Sequence, residues 1–207
     1  LGWSALAQAQ TNAIGPDWRP PERLGRPDPA SDEGGLWAMM DREETKLRRG
    51  GFLLRDPGLR DYLTGIACKL GGTHCADTRV YVVRTPWFNA TMAPNGMMQV
   101  WTGLLLRADN EAQLAAVIGH ELGHYLQRHS LARLRDARSR SAAMAVMAFA
   151  GGVGLIGQLA LLAGMAAYSR EHEAEADQIG VVLMRRAGYD PRAAAQVWHN
   201  LREELKA

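Results

Sequence analysis

At 207 residues, with 47% apolar, 22% charged and 7% aromatic residues, the chain is long enough for one domain with a sizeable core and too short for two full ones. This composition excludes a disordered, collagen-like or disulfide-dense chain. Twenty-four Lys+Arg against 22 Asp+Glu leave a formal charge of +2, so no global field draws in nucleic acid and no nucleic-acid partner is expected.

Residues 1–9 carry small residues at Ala5, Ala7 and Ala9 after an apolar start and read as a signal-peptide remnant, with a frayed N-terminal helix as the other reading. Residues 10–35 hold Pro16, Pro20, Pro21, Pro27 and Pro29 and close on Gly34-Gly35, the pattern of an extended leader to a single domain over 36–207. Leu36 to Arg49 has helical spacing, with Ser31 or Asp32 as cap and Gly50-Gly51 as stop. Asp56-Pro57 opens a second helix to about Leu70. Cys68 and Cys75 can close a small loop in an oxidising compartment and would be free thiols in a reducing one. Arg79 to Arg84 and Met97 to Thr102 are β-branched and aromatic runs separated by turn-rich residues, which predicts a small sheet. From an Asp109 cap, Leu114, Val117, Ile118, Leu122 and Tyr125 recur on one side of a helix running to about His129. Ala142 to Tyr168 is apolar or glycine except for Gln158. Rich in Ala, Gly and Met, it reads as a buried hairpin bent near Gly151-Gly152-Val153-Gly154 or as a lid, rather than a membrane span. Arg133, Arg135, Arg138 and Arg140 before it could meet anionic lipid or form a solvated face. Glu171 to Ala187 reads as helix ended by Gly188, and Asp190-Pro191 opens a last one.

The chemistry lies in His120-Glu121-Leu122-Gly123-His124 on the strongest helix. Residues four apart stand one turn above each other, so His120 and His124 can turn two imidazole nitrogens on one ion while Glu121 sits beside them. Two such histidines suit zinc, and a catalytic zinc site needs a third protein ligand and a position left for water. His129 fails as that ligand in the metzincin pattern, which asks for Gly at 127 and His at 130 where this chain has Gln127 and Ser130. A thermolysin-like arrangement takes a carboxylate from a second helix, and Glu171, Glu173 and Glu175 are chemically equal candidates. Glu173 and Asp177 lie one turn apart and share a face.

His120-Glu121-x-x-His124 followed by His172-Glu173-x-x-x-Asp177 resembles the zinc metallopeptidase family of HtpX, BepA, LoiP and the CAAX prenyl endopeptidases. Asn89-Ala90, Pro94-Asn95-Gly96, Thr102-Gly103-Leu104-Leu105 and Ala176-Asp177 to Gly180 are similar to its exported, BepA-like members, so the resemblance runs from about Asp56 to Gly188. It implies an α+β, mostly helical, zincin-like metalloprotease domain with its active-site helix packed beside a small β-sheet. It also implies one Zn2+ per chain on His120, His124 and Glu173, Glu121 as general base and Asp177 behind a ligand histidine. His172, Arg170 and Tyr168 are candidates for transition-state stabilisation or gating, and His199 has the same ambiguous standing. By the resemblance the strand Met97, Met98, Gln99, Val100, Trp101 and Thr102 is the edge on which an extended substrate pairs.

These expectations describe an exported metalloendopeptidase of the periplasm or cell envelope. Its substrates would be unfolded or misassembled proteins, with a peripheral membrane or outer-membrane assembly contact. A chaperone-like client-binding protein with a non-catalytic metal and a membrane-embedded HtpX-like protease are the rival readings. The unligated base Glu121 argues against the first, and the single apolar segment against the second.

Overall fold

Capping side chains mark the helix starts at Ser31, Asp56 and Asn110. In the computed structural model, which describes residues 14–22, 25–148 and 153–204 with the side chains of 140 and 142–169 excepted, Ser31 caps α1 (Asp32–Arg49) by accepting the Gly34 N–H. Acidic residues in the first turn and basic ones in the last complement the helix dipole. Asp56 caps α2 (Pro57–Gly71) in the same way through the Leu59 N–H, with proline in the first turn. A short 3-10 turn follows, and the Cys68–Cys75 disulfide ties it to α2. The expected signal-peptide remnant lies outside the described residues. Residues 14–22 of the leader have no regular structure but lie on the domain. Ile14 and Trp18 pack against the core, and Pro21 O accepts from His74 Nε2 at 2.9 Å.

Four strands form one mixed sheet: β1 (Leu53–Leu54), β2 (Arg79–Val83), β3 (Ala90–Met92) and β4 (Met97–Trp101), in spatial order β1-β2-β4-β3. β2 and β4 run parallel, and the other pairs are antiparallel. Two expectations are corrected here. The run from Met97 to Trp101 is an interior strand, because the three-residue β3, too short to stand out beside turn residues, pairs on its outer side and takes the edge. Thr102 leaves the sheet as the first residue of α3 (Thr102–Leu105), its hydroxyl donating to Thr85 O at 2.8 Å.

Glu44 fastens α1 to this sheet. Its carboxylate is buried and accepts from Arg79 Nε and Nη2 at 2.7 Å each, from the Tyr81 hydroxyl at 2.7 Å and from Asn95 Nδ2 at 2.9 Å. Asn95 belongs to the β3–β4 turn, where Gly96 adopts φ 86° and a Cβ would stand 2.1 Å from Asp77 O. The hydrogen bond from Arg79 holds the Glu44 carboxyl below the usual carboxylate range. A lowered carboxylate contributes stability above its unfolded pKa and loses it as pH falls through the folded one. Replacing Glu44 by Ala should therefore cost about 1.5–3 kcal/mol in urea unfolding at pH 7. The gap from wild type should narrow at acid pH, and equal urea midpoints at pH 7 would refute the role.

Asn110, one residue after the expected Asp109, caps α4 (Glu111–Leu126). Arg128, at φ 53°, breaks the chain before α5 (His129–Ala148), so His129 opens a new helix rather than ending the old one. Then α6 (Val153–Arg186) runs unbroken for 34 residues, so the helix expected from Glu171 starts at Val153, because isolated glycines such as Gly157 and Gly164 weaken a helix without ending it. α5 and α6 pack together. The expected bend at Gly151-Gly152 lies outside the described residues, while Val153 and Gly154 form the first turn of α6. Among the described residues no helix is long and apolar enough to cross a membrane. After Gly188, at φ 76°, α7 (Arg192–Glu204) closes the described chain. Leu63 and Ile66 of α2, Val82, Met98 and Val100 of the sheet, Ile118 and Leu122 of α4, Ile179 and Met184 of α6 and Val197 of α7 share one core.

Candidate metal centre

The site begins with how closely two helices approach. A Cβ on Gly123 of α4 would lie 2.9 Å from both Cα and O of Ala176 on α6, and one on Gly180 would lie 3.1 Å from the His120 backbone nitrogen. Glycines and one alanine at the crossing let backbone touch backbone. Bulkier residues would hold α6 away, and the carboxylates it carries would not reach the histidines on α4.

At this crossing His120 Nε2 and His124 Nε2 stand 3.1 Å apart, and Glu173 Oε2 lies 3.4 Å from each. Of the three glutamates in the cluster, Glu173 is the one that faces both histidines; Glu175 turns toward α5. His120, His124 and Glu173 are the set of ligating side chains among the described residues that could hold a metal ion. Ligands at 2.0–2.1 Å in a tetrahedron are separated by about 3.3–3.4 Å, so the three donors are spaced for one small ion. The remaining side of that tetrahedron carries none of the three.

Asp177, one turn after Glu173, lies 2.8 Å from His120 Nδ1 and accepts from it, so a neutral His120 carries its proton on Nδ1 and offers Nε2 to an ion. Burial alone would lower the His120 pKa, but the Asp177 hydrogen bond and the Glu121, Asp177 and Glu173 carboxylates outweigh it and the net shift is upward. His124 is pushed the other way, to about 3, by burial and by its histidine neighbours, so its ring is neutral at physiological pH. Glu121 is not among the converging donors. Its Oε2 accepts the Met92 backbone N–H at 3.2 Å, and burial raises its carboxyl to about 7.

That contact comes from the sheet edge. Trp101 N–H to Asn89 O at 3.1 Å and Ala93 N–H to Met97 O at 2.8 Å bind β3 to β4. By antiparallel alternation the N–H and C=O groups of Ala90 and Met92 then point outward, toward α4. The free edge therefore runs beside Glu121, a placement that turn-rich Asn89 and Pro94 concealed in the sequence.

The remaining candidates separate. His172 is buried and stacked on His129, rings 4.1 Å apart at 15°, so it is not a surface residue. Arg170 and His199 are exposed. Tyr168 lies on α6 with its side chain outside the described set. Arg135 and Arg138 pair with Asp32, while Arg133 reaches inward to 3.9 Å from Glu173 Oε1. Two neighbours were missed. Trp198 of α7 brings its ring within 6.5 Å of His120, and His129, dismissed as a ligand, touches His124 directly. The five-residue offset of His129 was visible, but the Arg128 turn that folds it back was not.

Residues 54–206 match the model of peptidase family M48. The chain is 29% identical over 179 residues to the beta-barrel assembly-enhancing protease of Escherichia coli, covering 78% of this chain and 36% of that protein. It is 29% identical over 185 residues to the protein of that name in Yersinia pestis, covering 82% and 38%. To the mitochondrial metalloendopeptidase OMA1 of Schizosaccharomyces pombe it is 37% identical over 126 residues, covering 59% and 37%. The chain thus spans little more than a third of the length of these relatives. Across the α2-to-α7 framework that carries the three converging donors, the chain belongs to peptidase family M48 and is a metallopeptidase.

Proposed function

We propose that this domain is a zinc metalloendopeptidase that cleaves unfolded or misassembled polypeptides of the bacterial envelope. The observation that carries it is three metal-binding atoms converging beside a carboxylate that is not one of them, under a free strand edge. His120, His124 and Glu173 hold the ion. When bound, zinc lowers the pKa of a water and polarises the scissile carbonyl. Glu121 takes the proton from the attacking water on its carboxylate and gives it to the leaving amine nitrogen. Asp177 keeps His120 in the ligating tautomer. The substrate-pairing edge passes from the strand at 97–102 to β3, where the outward amide and carbonyl of Ala90 and the carbonyl of Met92, whose N–H is taken by Glu121, pair with an extended chain whatever its side chains. Such pairing suits unfolded substrates.

The envelope assignment is supported by the names of the Escherichia coli and Yersinia pestis relatives, by the Cys68–Cys75 disulfide, which persists in oxidising compartments, and by the leader-like residues 1–9. Within it, residues 1–9 are the end of an export signal, 10–35 a leader and 36–207 the peptidase domain, with α1 starting slightly earlier, at Asp32. The test loads the purified protein with zinc and follows casein digestion. One zinc per chain, cleavage, loss of cleavage on chelation and recovery with zinc are expected. A protein that carries one zinc and holds casein intact would replace the peptidase by a client-binding module.

A further inference from the structure

His120 and His124 are both placed as ligands but are supported differently. His120 Nδ1 meets a carboxylate directly; His124 Nδ1 lies 2.8 Å from Nδ1 of His129. His129 Nε2 lies 3.1 Å from Glu175 Oε2, and the other oxygen of Glu175 accepts from Gln127 Nε2. We propose that His129 and Glu175 are positioning residues that fix the tautomer and ring orientation of His124 through a His–His–Glu chain. The proposal rests on the metal-holding reading of His120, His124 and Glu173.

The proton count allows one arrangement. A ligating Nε2 must be bare, so His124 carries its proton on Nδ1. That proton needs an acceptor, and His129 Nδ1 is one only if His129 is protonated on Nε2. The Nε2 proton in turn has Glu175 Oε2 within reach. Arg133 Nη2 stands 3.2 Å from His124 Nδ1 but can only donate, so it competes for the opposite tautomer, in which an Nε2–H would point at the donors that must hold the ion. With its side chain 47% exposed, Arg133 is free to turn toward Glu173 Oε1 or solvent. His129, 2% exposed and stacked on His172, is not free to turn.

The backbone points the same way. Arg128 is the non-glycine residue at positive φ among the described residues, a conformation that costs free energy and persists where the fold demands it. It follows directly on the C-cap of α4, and the turn it makes brings His129 over His124, five residues back. A continuous helix would carry residue 129 more than a full turn past residue 124.

The readout is zinc affinity, by competition with a chromophoric chelator, alongside thermal unfolding of the metal-free proteins. His129→Leu should weaken zinc binding by about 10–100-fold and Glu175→Ala by about tenfold. His129→Asn, whose Oδ1 replaces the Nδ1 acceptor, should stay within about threefold of wild type. Nitrogen NMR of His124 should show Nδ1–H in metal-free wild type and in His129→Asn, and mixed tautomers in His129→Leu. A merely structural role would lower the melting temperature equally in Leu and Asn variants and leave the affinity of folded protein unchanged. Folded His129→Leu with wild-type affinity would overturn the proposal alone; should that variant not fold, Glu175→Ala with wild-type affinity would do so. Wild type that takes up no zinc would overturn the metal-holding reading and this proposal with it.

Discussion

Zinc-loaded Glu121→Gln is expected to digest casein about 10^2–10^4 times more slowly than wild type, with the same zinc content. Glutamine keeps the shape and the acceptor for the Met92 N–H but cannot take a proton at pH 7. Because Glu121 is not among the three converging donors, the ion should stay. Burial, partly offset by His120 and the Met92 N–H, raises the Glu121 carboxyl to about 7 in the metal-free protein, and a dication close by would pull it lower, so the wild-type group should be ionised at pH 7–8. Replacing a buried carboxylate by a neutral amide removes a desolvated charge, so the melting temperature should not fall. Unreduced cleavage by Glu121→Gln would remove Glu121 from the reaction. Equal loss of zinc and activity would make it a ligand instead of a base.

The second large effect is expected away from the donors. Gly123→Ala gains at most about 1 kcal/mol of helix propensity in the last turn of α4. It also puts a Cβ 2.9 Å from Cα and O of Ala176, backbone atoms that cannot rotate aside. Overpacking of this kind costs about 1–3 kcal/mol, so the net change in stability should be small or unfavourable. The site should suffer more. Glu173 and Asp177 flank Ala176 on α6, and a displacement of a few tenths of an ångström spoils donors spaced at 3.1–3.4 Å. Zinc affinity should fall at least tenfold while circular dichroism stays native. Wild-type affinity in Gly123→Ala would mean that α4 and α6 can part without moving the ligating atoms.

The sequence by itself determined the features that depend on near neighbours along the chain. Ser31 and Asp56 mark helix starts because a cap acts within three residues. His120 and His124 share a face, as do Glu173 and Asp177, because four residues make about one helical turn. The two longer strands were legible from β-branched runs, and the mostly helical α+β class followed. Tertiary structure decided what depends on separations of tens of residues. Residue chemistry alone leaves Glu171, Glu173 and Glu175 equivalent, the family resemblance singles out Glu173, and the close Gly123–Ala176 crossing is what turns Glu173 toward the histidines and Glu175 toward His129. Strand order is likewise a packing outcome: short β3 took the edge from β4 and brought Met92 to Glu121. His129 failed as a ligand by motif spacing, and the positive φ at Arg128, which no periodicity encodes, set it against His124. Local spacing chose the chemical groups, and the approach of two backbones chose which of them meet.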